Sequence, residues 1–484
     1  MKICMVSSES VPFSKSGGLA DVVGALSGSL ATLGDDVRVI LPLYGSVDAA
    51  SFESLDVTLS VSMLASVEKI TVKKTTLDGV IYYFLDHPSY SGRTGIYGDT
   101  SHAPYGDNLA RYTLLNKGAM ALLKAFDWQP DVVHCHDWTC GFLPYLIKQS
   151  DDSFFSQMRT MMTIHNLAYQ GEFSRLELLG CDIDADSRFF SGPTASKRTN
   201  MLKTGLEFAD VLSTVSPTYA KEIQSAEYGC GLEDLLTERS EDLHGIINGI
   251  DYDEWNPRTD VFMTHHFSED DLGGKAKTKA QIQRHFGLEE DPSIPLFSMI
   301  SRLASQKGFV ELLEGSPPAL EEMLRTNRMQ MIIIGTGDSE IERHLSELGK
   351  ELPNLSVNIL FSNELAHLVE AGSDFFLMPS RYEPCGLNQL YSLRYATIPV
   401  ARRTGGLADS IIDLDESPAE GTGILFDQLT GHDILKAVQR SLQWWEQGEE
   451  TLLSIRKRAM RWDSSWQNSA TLYRNIYQTT KRRK

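Results

Sequence analysis

Short runs of apolar residues recur in the first half of the chain and alternate with longer stretches in which apolar residues fall at helical spacing. These runs occupy residues 3–7, 37–41, 131–134 and 161–164. Short continuous apolar runs are typical of strands that are buried on both faces of a sheet. Their alternation with amphipathic helices predicts a layered α/β lobe with a parallel sheet.

The same alternation starts again in the second half, with apolar runs at residues 296–300, 331–334, 375–378 and 398–401. Between the two halves, residues 245–257 are rich in Gly, Asn, Asp and Pro, which favour turns over helix or strand. A chain of 484 residues also exceeds the usual size of one hydrophobic core. The pattern therefore predicts two α/β lobes joined by a hinge in this segment.

The charge of the chain restricts its partners. Lys and Arg total 45 against 65 Asp and Glu, a formal charge of −20 that would repel a phosphate backbone. No apolar stretch approaches the ~18 residues that span a bilayer. The six cysteines are scattered without a CxxC pair, and the first residues lack the apolar core of a signal peptide. We expect a cytoplasmic protein that binds neither nucleic acid nor membrane.

A glycine loop follows the first predicted strand. Gly17 and Gly18 precede a helical pattern, and Lys15 lies beside them. Adjacent glycines let backbone N–H groups approach a ligand, and the start of a helix favours negative charge. The loop matches neither GxGxxG nor GxxxxGK[ST], so a purely structural turn stays open on these grounds. With Lys15, the loop is a candidate site for a phosphate or a leaving diphosphate.

The sequence KSGGLADVVGAL at residues 15–26 resembles the N-terminal signature of bacterial glycogen synthases and plant starch synthases, which usually carry Thr at Ser16 and Pro at Ser27. The resemblance covers most of the chain, and its further motifs follow in the family's order. They are HCHDW (134–138), TIHNLAYQG (163–171), YGCGL (228–232), INGID (247–251), SRL (301–303), QKG (306–308) and PSRYEPCGLNQ (379–389).

This resemblance implies the GT-B fold, with two Rossmann-like doubly wound parallel-sheet lobes that face a cleft. Residues 1–248 would form the lobe on the acceptor side, completed by a returning C-terminal helix in 462–484, and residues 249–461 the lobe on the donor side. The implied enzyme is a retaining hexosyltransferase of glycogen biosynthesis. It would transfer glucose from ADP-glucose, or alternatively UDP-glucose, to the non-reducing end of an α-1,4-glucan such as glycogen, without a cofactor.

In the second lobe, Arg302 and Lys307 follow a predicted strand end and could provide two converging cations for a diphosphate. The family binds the diphosphate at the matching positions, although either residue alone could be a surface charge. Glu383 follows another strand, and the resemblance implies that it hydrogen-bonds the sugar hydroxyls of the donor. A glutamate that caps a helix is the alternative.

The resemblance also places Cys385 in the sugar pocket, with the amides of Gly386 and Leu387 at the start of a helix beside the substrate. Nothing in the sequence puts a His beside Cys385, so we do not expect a thiol nucleophile.

In the first lobe, His165 matches the family's active-site histidine beside the transferred glucose, although a lone His after an apolar strand is often a core residue. Asp137 matches a cleft carboxylate that helps to bind sugar or acceptor. Asn248 matches a substrate contact at the domain junction, and Asp21, within the glycine signature, is assigned to substrate binding. We expect the catalytic set to be Glu383, His165, Arg302 and Lys307, with the remaining residues binding substrate.

The sequence shows no well-placed nucleophile of the kind that retaining glycosidases use. We therefore expect a same-face displacement in which Arg302, Lys307 and the amides of Gly17 and Gly18 stabilise the departing diphosphate. No acidic cluster with metal geometry accompanies these cations, so the prediction is metal-independent activity and no metal site.

Three further positions depart from the family pattern. Thr139 stands where a second His often follows the HCHDW motif, Phe361 where many relatives have Tyr against the base, and Leu368 where Arg is frequent. These departures leave the identity of the nucleotide base open. The sequence also leaves open the acceptor length, the oligomeric state and allosteric control.

Other classes of protein are weighed against this prediction. A phosphorylase would normally need a pyridoxal-lysine motif, which we do not find, and a sugar-nucleotide epimerase would share the fold. A catalytically inactive glucan-binding scaffold has no need of Lys15, Arg302, Lys307 and Glu383 together. An NAD-dependent oxidoreductase is disfavoured by the spacing of the glycine loop.

Overall fold

The computed structural model describes residues 1–99, 103–184, 186–191 and 198–483. The chain divides into two compact units, Met1–Asn248 with Trp466–Lys484, and Gly249–Ser465. The predicted boundary between residues 461 and 462 falls at the end of a helix, Glu449–Arg461. Lys484, the last residue of the predicted C-terminal segment, lies outside the described residues.

The first unit alternates strands and helices. Its strands are β1 (Lys2–Val6), β2 (Asp36–Pro42), β3 (Glu53–Met63), β4 (Ser66–Leu77), β5 (Val80–Asp86), β6 (Val132–His136), β7 (Arg159–Ile164), β8 (Glu172–Phe173), β9 (Phe190–Ser191), β10 (Arg198–Asn200), β11 (Val211–Thr214) and β12 (Leu243–Gly245). Its helices before the second unit are α1 (Gly18–Thr32), α2 (Pro88–Ser91), α3 (Asn108–Ala125), α4 (Leu143–Gln149), α5 (Arg175–Leu179), α6 (Met201–Phe208), α7 (Pro217–Glu222) and α8 (Glu233–Glu238). Short 3-10 turns lie at Trp138–Cys140, Ser153–Phe155 and Ser187–Phe189.

The main sheet of this unit has the strand order β12-β11-β7-β6-β1-β2-β5-β4-β3. From β12 to β5 the neighbours pair in parallel, and β4 and β3 add an antiparallel hairpin at one edge. The apolar runs predicted as strands correspond to β1, β2, β6 and β7. The hairpin was not predicted, because only one of its faces is buried and its strands mix polar with apolar residues.

The second unit repeats the α/β alternation. Its strands are β13 (Leu296–Ile300), β14 (Gln330–Ile334), β15 (Leu355–Asn358), β16 (Phe375–Met378), β17 (Ile398–Arg402) and β18 (Ile424–Phe426). Its helices are α9 (Gly273–His285), α10 (Phe309–Leu313), α11 (Ala319–Thr326), α12 (Ser339–Glu351), α13 (Asn363–Gly372), α14 (Asn388–Arg394), α15 (Gly405–Ser410), α16 (Gly431–Glu446) and α17 (Glu449–Arg461), with a 3-10 turn at Ser305–Lys307.

The sheet of the second unit has the order β15-β14-β13-β16-β17-β18, and its neighbouring strands pair in parallel. The chain winds outward from β13 in one direction and from β16 in the other. The first unit shows the same reversal between β1 and β6. In open α/β sheets, ligands bind outside the carboxyl ends of the strands at such a reversal. Each unit therefore has one position at which its topology favours a site.

The last helix, α18 (Trp466–Thr479), belongs to the first unit. It buries Trp466, Tyr473 and Tyr477 in the same hydrophobic core as α1 and the central strands. The Tyr477 hydroxyl also lies 2.7 Å from Nδ1 of His134 in β6. The C-terminal segment thus contributes to the core of the N-terminal sheet.

None of the helices in the described part of the chain is both long enough and apolar enough to cross a membrane.

Candidate active site

Two neighbouring strands of the second unit carry the predicted donor-side residues. β13 and β16 pair in parallel, so that Phe297 lies opposite Phe375, and their carboxyl ends reach the same edge of the sheet. Arg302 and Lys307 follow β13, and Glu383 follows β16. These residues meet at the reversal of the strand order, where a ligand site is expected in a sheet of this type.

Lys307 and Glu383 form an ion pair at this edge. The Lys307 ammonium lies 2.6 Å from Oε2 of Glu383, which also accepts a hydrogen bond of 2.8 Å from the Ser380 hydroxyl. Glu383 is only 6% exposed, whereas Arg302 is exposed and donates to the Gln306 side chain at 3.3 Å. The pair fixes a cation and a carboxylate side by side, which provides a charge for an anion and an acceptor for hydroxyl groups.

The segments that carry the pair are tied together by backbone contacts. The Arg381 amide donates to the Gln306 carbonyl at 2.8 Å, and the Gln306 side chain donates to the Tyr382 carbonyl at 3.2 Å. Gly308 has a φ of 81°, and a Cβ there would collide with the Pro379 carbonyl. A glycine is needed for this close approach, and the QKG motif thereby positions Lys307.

A third strand contributes a contact that was not predicted from the sequence. Gly405 and Gly406 follow β17, the next strand of the sheet, and the Gly406 amide donates to the Glu383 carbonyl at 3.0 Å. A Cβ at Gly405 would collide with that same carbonyl. Paired glycines directly after a buried strand were the available signal, since they permit such an approach.

Buried side chains and hydrogen bonds stabilise the turn after Glu383. Cys385 is buried, and Gly386 has a φ of 72°, which favours glycine. The Gln389 side chain donates to the Cys385 and Gly386 carbonyls at 2.9 and 3.1 Å. Leu387 is the N-cap of α14. These contacts fix the turn that carries Glu383.

In the first unit, the predicted site residues also follow the carboxyl ends of parallel strands. The glycine loop follows β1, Asp137 follows β6, His165 follows β7, and Asn248, which is buried, follows β12. The structure brings Asp137 and His165 together, since Oδ1 of Asp137 accepts from the His165 backbone N–H at 2.8 Å. The predicted residues thus share one edge of the sheet.

Asp137 occupies an unfavourable position for both its backbone and its carboxyl. Its φ is 55°, in the left-handed region, and the residue is only 9% exposed. Burial raises the pKa of Asp137 to about 7, although the backbone N–H groups of His165 and Asn166 oppose the rise. Strained and buried polar residues that persist in a fold are concentrated at functional sites.

Replacing Asp137 by asparagine is expected to stabilise the protein on the alkaline side. Between the ordinary pKa of 3.8 and about 7, the folded state keeps a proton that the unfolded state has lost, so the free energy of unfolding falls as pH rises. Asparagine does not titrate and can still accept from His165. At pH 8 the variant should be more stable by at least ~1 kcal/mol. Urea unfolding at pH 5 and pH 8 measures this difference.

The Asp137→Asn gain should grow from pH 5 to pH 8, while Asp151→Asn, which changes an exposed carboxyl, should show no such trend. A gain that is equal at both pH values would show that titration of the buried Asp137 carboxyl is not its cause.

Three histidines of this unit, His134, His136 and His165, lie next to one another. Nδ1 of His136 lies 3.0 Å from Nε2 of His165, and Nε2 of His134 lies 2.5 Å from the Thr163 hydroxyl. Burial lowers the pKa of His165 to about 3 and that of His134 to about 3 as well. His165 is therefore a neutral imidazole, suited to hydrogen bonding with a sugar rather than to stabilising charge as a cation. His134 and His136 were not predicted as partners of this residue.

The glycine loop contains both predicted and unpredicted contacts. The Lys15 ammonium forms a 2.7 Å ion pair with Asp21, and both side chains are partly exposed. The Gly17 amide, which the sequence led us to expect at a diphosphate, instead donates to the carboxylate of Glu9 at 3.3 Å. Gly18 begins α1. Glu9 was not predicted, and the only signal for it was its place just after β1.

No group of three or more His, Cys, Asp or Glu residues within the described ranges is arranged to hold a metal ion.

Comparisons with known proteins show the family of this chain. Residues 2–238 match the family model of the starch synthase catalytic domain, and residues 280–462 match the group 1 glycosyl transferases. The chain is 39% identical over 480 residues to a glycogen synthase of Treponema denticola, covering 99% of this chain and 98% of the relative. It is 41% identical over 488 residues to a glycogen synthase of Geotalea daltonii, with the same coverage. The chain belongs to the glycogen and starch synthase family.

Solved structures of related proteins extend this result to the fold. The catalytic domain of starch synthase IV from Arabidopsis thaliana, bound to ADP and acarbose, matches with a TM-score of 0.90 and 31% identity, covering 99% of both chains. A sucrose-phosphate synthase from Thermosynechococcus elongatus, at 16% identity and a TM-score of 0.60 over 99% of this chain and 98% of that one, shows the fold alone. The GT-B fold and the glycosyltransferase class predicted from the sequence are confirmed.

In this member of the family, Thr139, Leu368 and Phe361, three of its departures from the family pattern, lie in different environments. Thr139 is fully buried, and its carbonyl accepts from the Asn116 side chain at 2.7 Å. Leu368 is buried in α13, in a core cluster with Leu390. Phe361 is 87% exposed, just before α13. Of the three, only Phe361 presents a large apolar surface to solvent.

Proposed function

We propose that this glycosyltransferase is a glycogen synthase that moves glucose from ADP-glucose to the non-reducing end of an α-1,4-glucan with retention of configuration. Its full-length similarity to glycogen synthases and the ADP and acarbose bound to the Arabidopsis relative support this proposal. The observation that carries it is the Lys307–Glu383 pair at the strand reversal of the second unit.

In this proposal the second unit holds the donor. Arg302 and Lys307 bind the diphosphate, and their charge stabilises the leaving group as the glycosidic bond breaks. Glu383 accepts hydrogen bonds from hydroxyls of the donor sugar, oriented by its contact with Ser380. The sugar pocket is completed by the backbone N–H groups of Gly386 and Leu387 and by the turn at Cys385.

The first unit contributes the remaining contacts. Lys15 and the Gly18 end of α1 are proposed to bind phosphate, with Asp21 holding the Lys15 ammonium. Neutral His165 hydrogen-bonds the transferred glucose, while Asp137 and Asn248 bind sugar or acceptor. Because the Gly17 amide donates to Glu9, it does not bind the phosphate in this scheme.

The reaction that fits these residues is a same-face displacement. The bond between the anomeric carbon and the diphosphate oxygen breaks, and its electron pair leaves with the diphosphate. The acceptor hydroxyl attacks the same face of the oxocarbenium-like sugar and gives its proton to the departing phosphate oxygen. No protein nucleophile takes part, and the cations of the chain stabilise the developing negative charge.

Phe361 is proposed to stack on the nucleotide base. Stacking between an aromatic side chain and a base is worth about 1–3 kcal/mol, so Phe361→Ala should raise the KM for the donor about 5- to 100-fold with a small change in kcat. Because Phe361 is 87% exposed, its loss should not change the melting temperature. Steady-state kinetics with varied ADP-glucose measure the effect.

Phe361→Tyr should restore the donor KM, and Leu360→Ala, at the partly exposed neighbouring position, is the matched control. An unchanged KM in Phe361→Ala would remove the residue from the donor site.

The cysteines support the cytoplasmic location expected from the sequence, which stays a prediction. All six lie in the described part of the chain, and they are free thiols. Free cysteines are typical of proteins that work in a reducing compartment.

The proposed function is tested by incubating the purified protein with glycogen and radiolabelled ADP-glucose or UDP-glucose, and counting label in the precipitated polymer. We expect incorporation with ADP-glucose, undiminished by EDTA because the cations of the chain replace a metal. Loss of activity in EDTA that magnesium restores would refute metal independence. No incorporation from either donor would favour the scaffold alternative.

A further inference from the structure

A buried carboxylate that no part of the reaction scheme uses lies beneath the glycine loop. Glu9 follows β1 and is only 2% exposed. Its Oε2 accepts from the backbone N–H groups of Ser16 and Gly17 at 2.5 and 3.3 Å. Its Oε1 accepts from the hydroxyls of Ser16 and Tyr97 at 3.0 and 2.6 Å. Four donors from two separate segments therefore converge on one carboxyl group.

All four donors are satisfied when Glu9 is ionised. An ionised carboxylate is purely an acceptor, whereas a carboxylic acid or an amide would place a donor against one of these partners, which must then reorient its own hydroxyl or lose its hydrogen bond. The Tyr97 hydroxyl lies 2.8 Å from the Ser8 hydroxyl, which donates to it when the Tyr97 proton goes to Glu9. Hydrogen bonds to an ionised group are stronger than those between neutral groups.

The carboxylate joins two segments that line the same cavity. The glycine loop contributes Lys15 and Ser16 to its wall, and the segment before α3 contributes Thr94 and Tyr97. The cavity has a volume of about 570 Å³ and is open on one side. The Tyr97 carbonyl in turn accepts from the Asn108 side chain of α3 at 2.8 Å. Glu9 thus connects, through Tyr97, the loop that carries Lys15 to α3.

We infer that Glu9 is a positioning residue, which as a carboxylate holds the glycine loop and Tyr97 in the arrangement that presents Lys15 and the Gly18 end of α1 to the donor. Glu9 itself contacts no substrate in this scheme. The inference rests on the proposed function for what the loop binds, but the clamp itself is a property of the fold and is measurable without any substrate.

The clamp should weaken as the pH falls. Burial raises the pKa of Glu9 above its ordinary value of 4.5, although the Tyr97 and Ser16 donors oppose the rise. The titratable groups that face Glu9 among the described residues are Tyr97, Tyr112 and Asp137. Protonation of Glu9 turns an acceptor into a donor and removes the charge that strengthens these hydrogen bonds. The clamp is therefore strongest on the alkaline side and weakens on the acid side at a higher pH than for an ordinary glutamate.

Amide hydrogen exchange of a peptide that spans residues 14–18 tests the clamp without substrate. After correction for the intrinsic pH dependence, protection of the Ser16 and Gly17 amides should fall as pH is lowered from 8 to 5. Glu9→Gln should lower this protection about 10- to 100-fold at pH 8 and remove its pH dependence. Glu53→Gln, which changes an exposed carboxyl, is the control and should behave as the wild type. Equal protection in Glu9→Gln and wild type would overturn the inference.

Two milder variants give a signature that a merely structural residue would not produce. Tyr97→Phe and Ser16→Ala each remove one donor that holds down the pKa of Glu9, so the pH at which protection is half lost should rise in both. If titration of Asp137 set this midpoint pH instead, the midpoint would fall or stay the same. The Glu9 charge raises the pKa of Asp137, and both variants reduce that charge by raising the pKa of Glu9. A fall in either variant would overturn the inference.

The acid limb of the glucosyl-transfer rate should move with the exchange midpoint in the same variants. A wild type that transfers no glucose but shows the exchange signature would refute the proposed function and leave the clamp established. A wild type that transfers glucose but lacks the exchange signature would overturn the clamp and leave the proposed function standing.

Discussion

Replacing Lys307 by alanine is expected to lower kcat about 10²- to 10³-fold, the usual loss when one preorganised group that stabilises a developing anion is removed. The effect should be large because the change does more than remove a cation. It leaves the Glu383 carboxylate, which is 6% exposed, without the ammonium 2.6 Å away. An unpaired negative charge would then lie beside the position proposed for the diphosphate. Steady-state kinetics with ADP-glucose and glycogen measure the loss.

The double variant Lys307→Ala/Glu383→Ala separates the two contributions. It removes the unpaired carboxylate together with the cation, so its loss should be smaller than the product of the two single losses. Arg343→Ala, in an exposed helical ion pair with Glu347, is the matched control and should keep full activity. Lys307→Ala with more than a tenth of the wild-type kcat would contradict the role of Lys307 in leaving-group stabilisation.

Glu383→Gln should be nearly as damaging, with a kcat about 10²-fold lower, although it keeps the shape of the side chain. The amide can still accept from Ser380 but pairs poorly with Lys307, and it hydrogen-bonds sugar hydroxyls more weakly than a carboxylate does. The fold should persist, because the turn is also held by Gly406 and by Gln389. Kinetics and a melting curve on the same sample measure both effects.

Glu416→Gln, in an exposed ion pair with Arg403, is the control for loss of a carboxylate in this unit. If Glu383→Gln were as active as Glu416→Gln, the sugar-binding role of Glu383 would be wrong. If Glu383→Gln unfolded at a much lower temperature, the residue would be structural, and the kinetic loss would not bear on catalysis.

Much of the architecture could be predicted from local pattern alone. The predicted strands are present as β1, β2, β6 and β7 in the first unit and as β13, β14, β16 and β17 in the second, because each is a short apolar run buried on both faces. The β3–β4 hairpin was not predicted, because it lies at the edge of the sheet and one of its faces is exposed. Strand order, which creates the two reversals, is a long-range property that spacing does not encode.

The candidate site was predicted in part, for a similar reason. Motifs identified Lys307 and Glu383 separately, but the residues are 76 positions apart, and only the pairing of β13 with β16 brings them together. Glu9 belongs to no motif that we identified. Its role is apparent only from its contact with Tyr97, which lies far along the chain. The raised pKa of Asp137 comes from burial, which the sequence of a turn does not reveal.

The central claim, transfer of glucose to the non-reducing end of a glucan with retention, is tested most directly with a short acceptor. Maltotriose and ADP-glucose are incubated with the purified protein, the ADP released is measured, and the product is analysed by proton NMR. The account predicts maltotetraose with a new α-1,4 bond and one ADP per glucose transferred. A β-linked product, or ADP-glucose hydrolysed to free glucose without elongation, would contradict it.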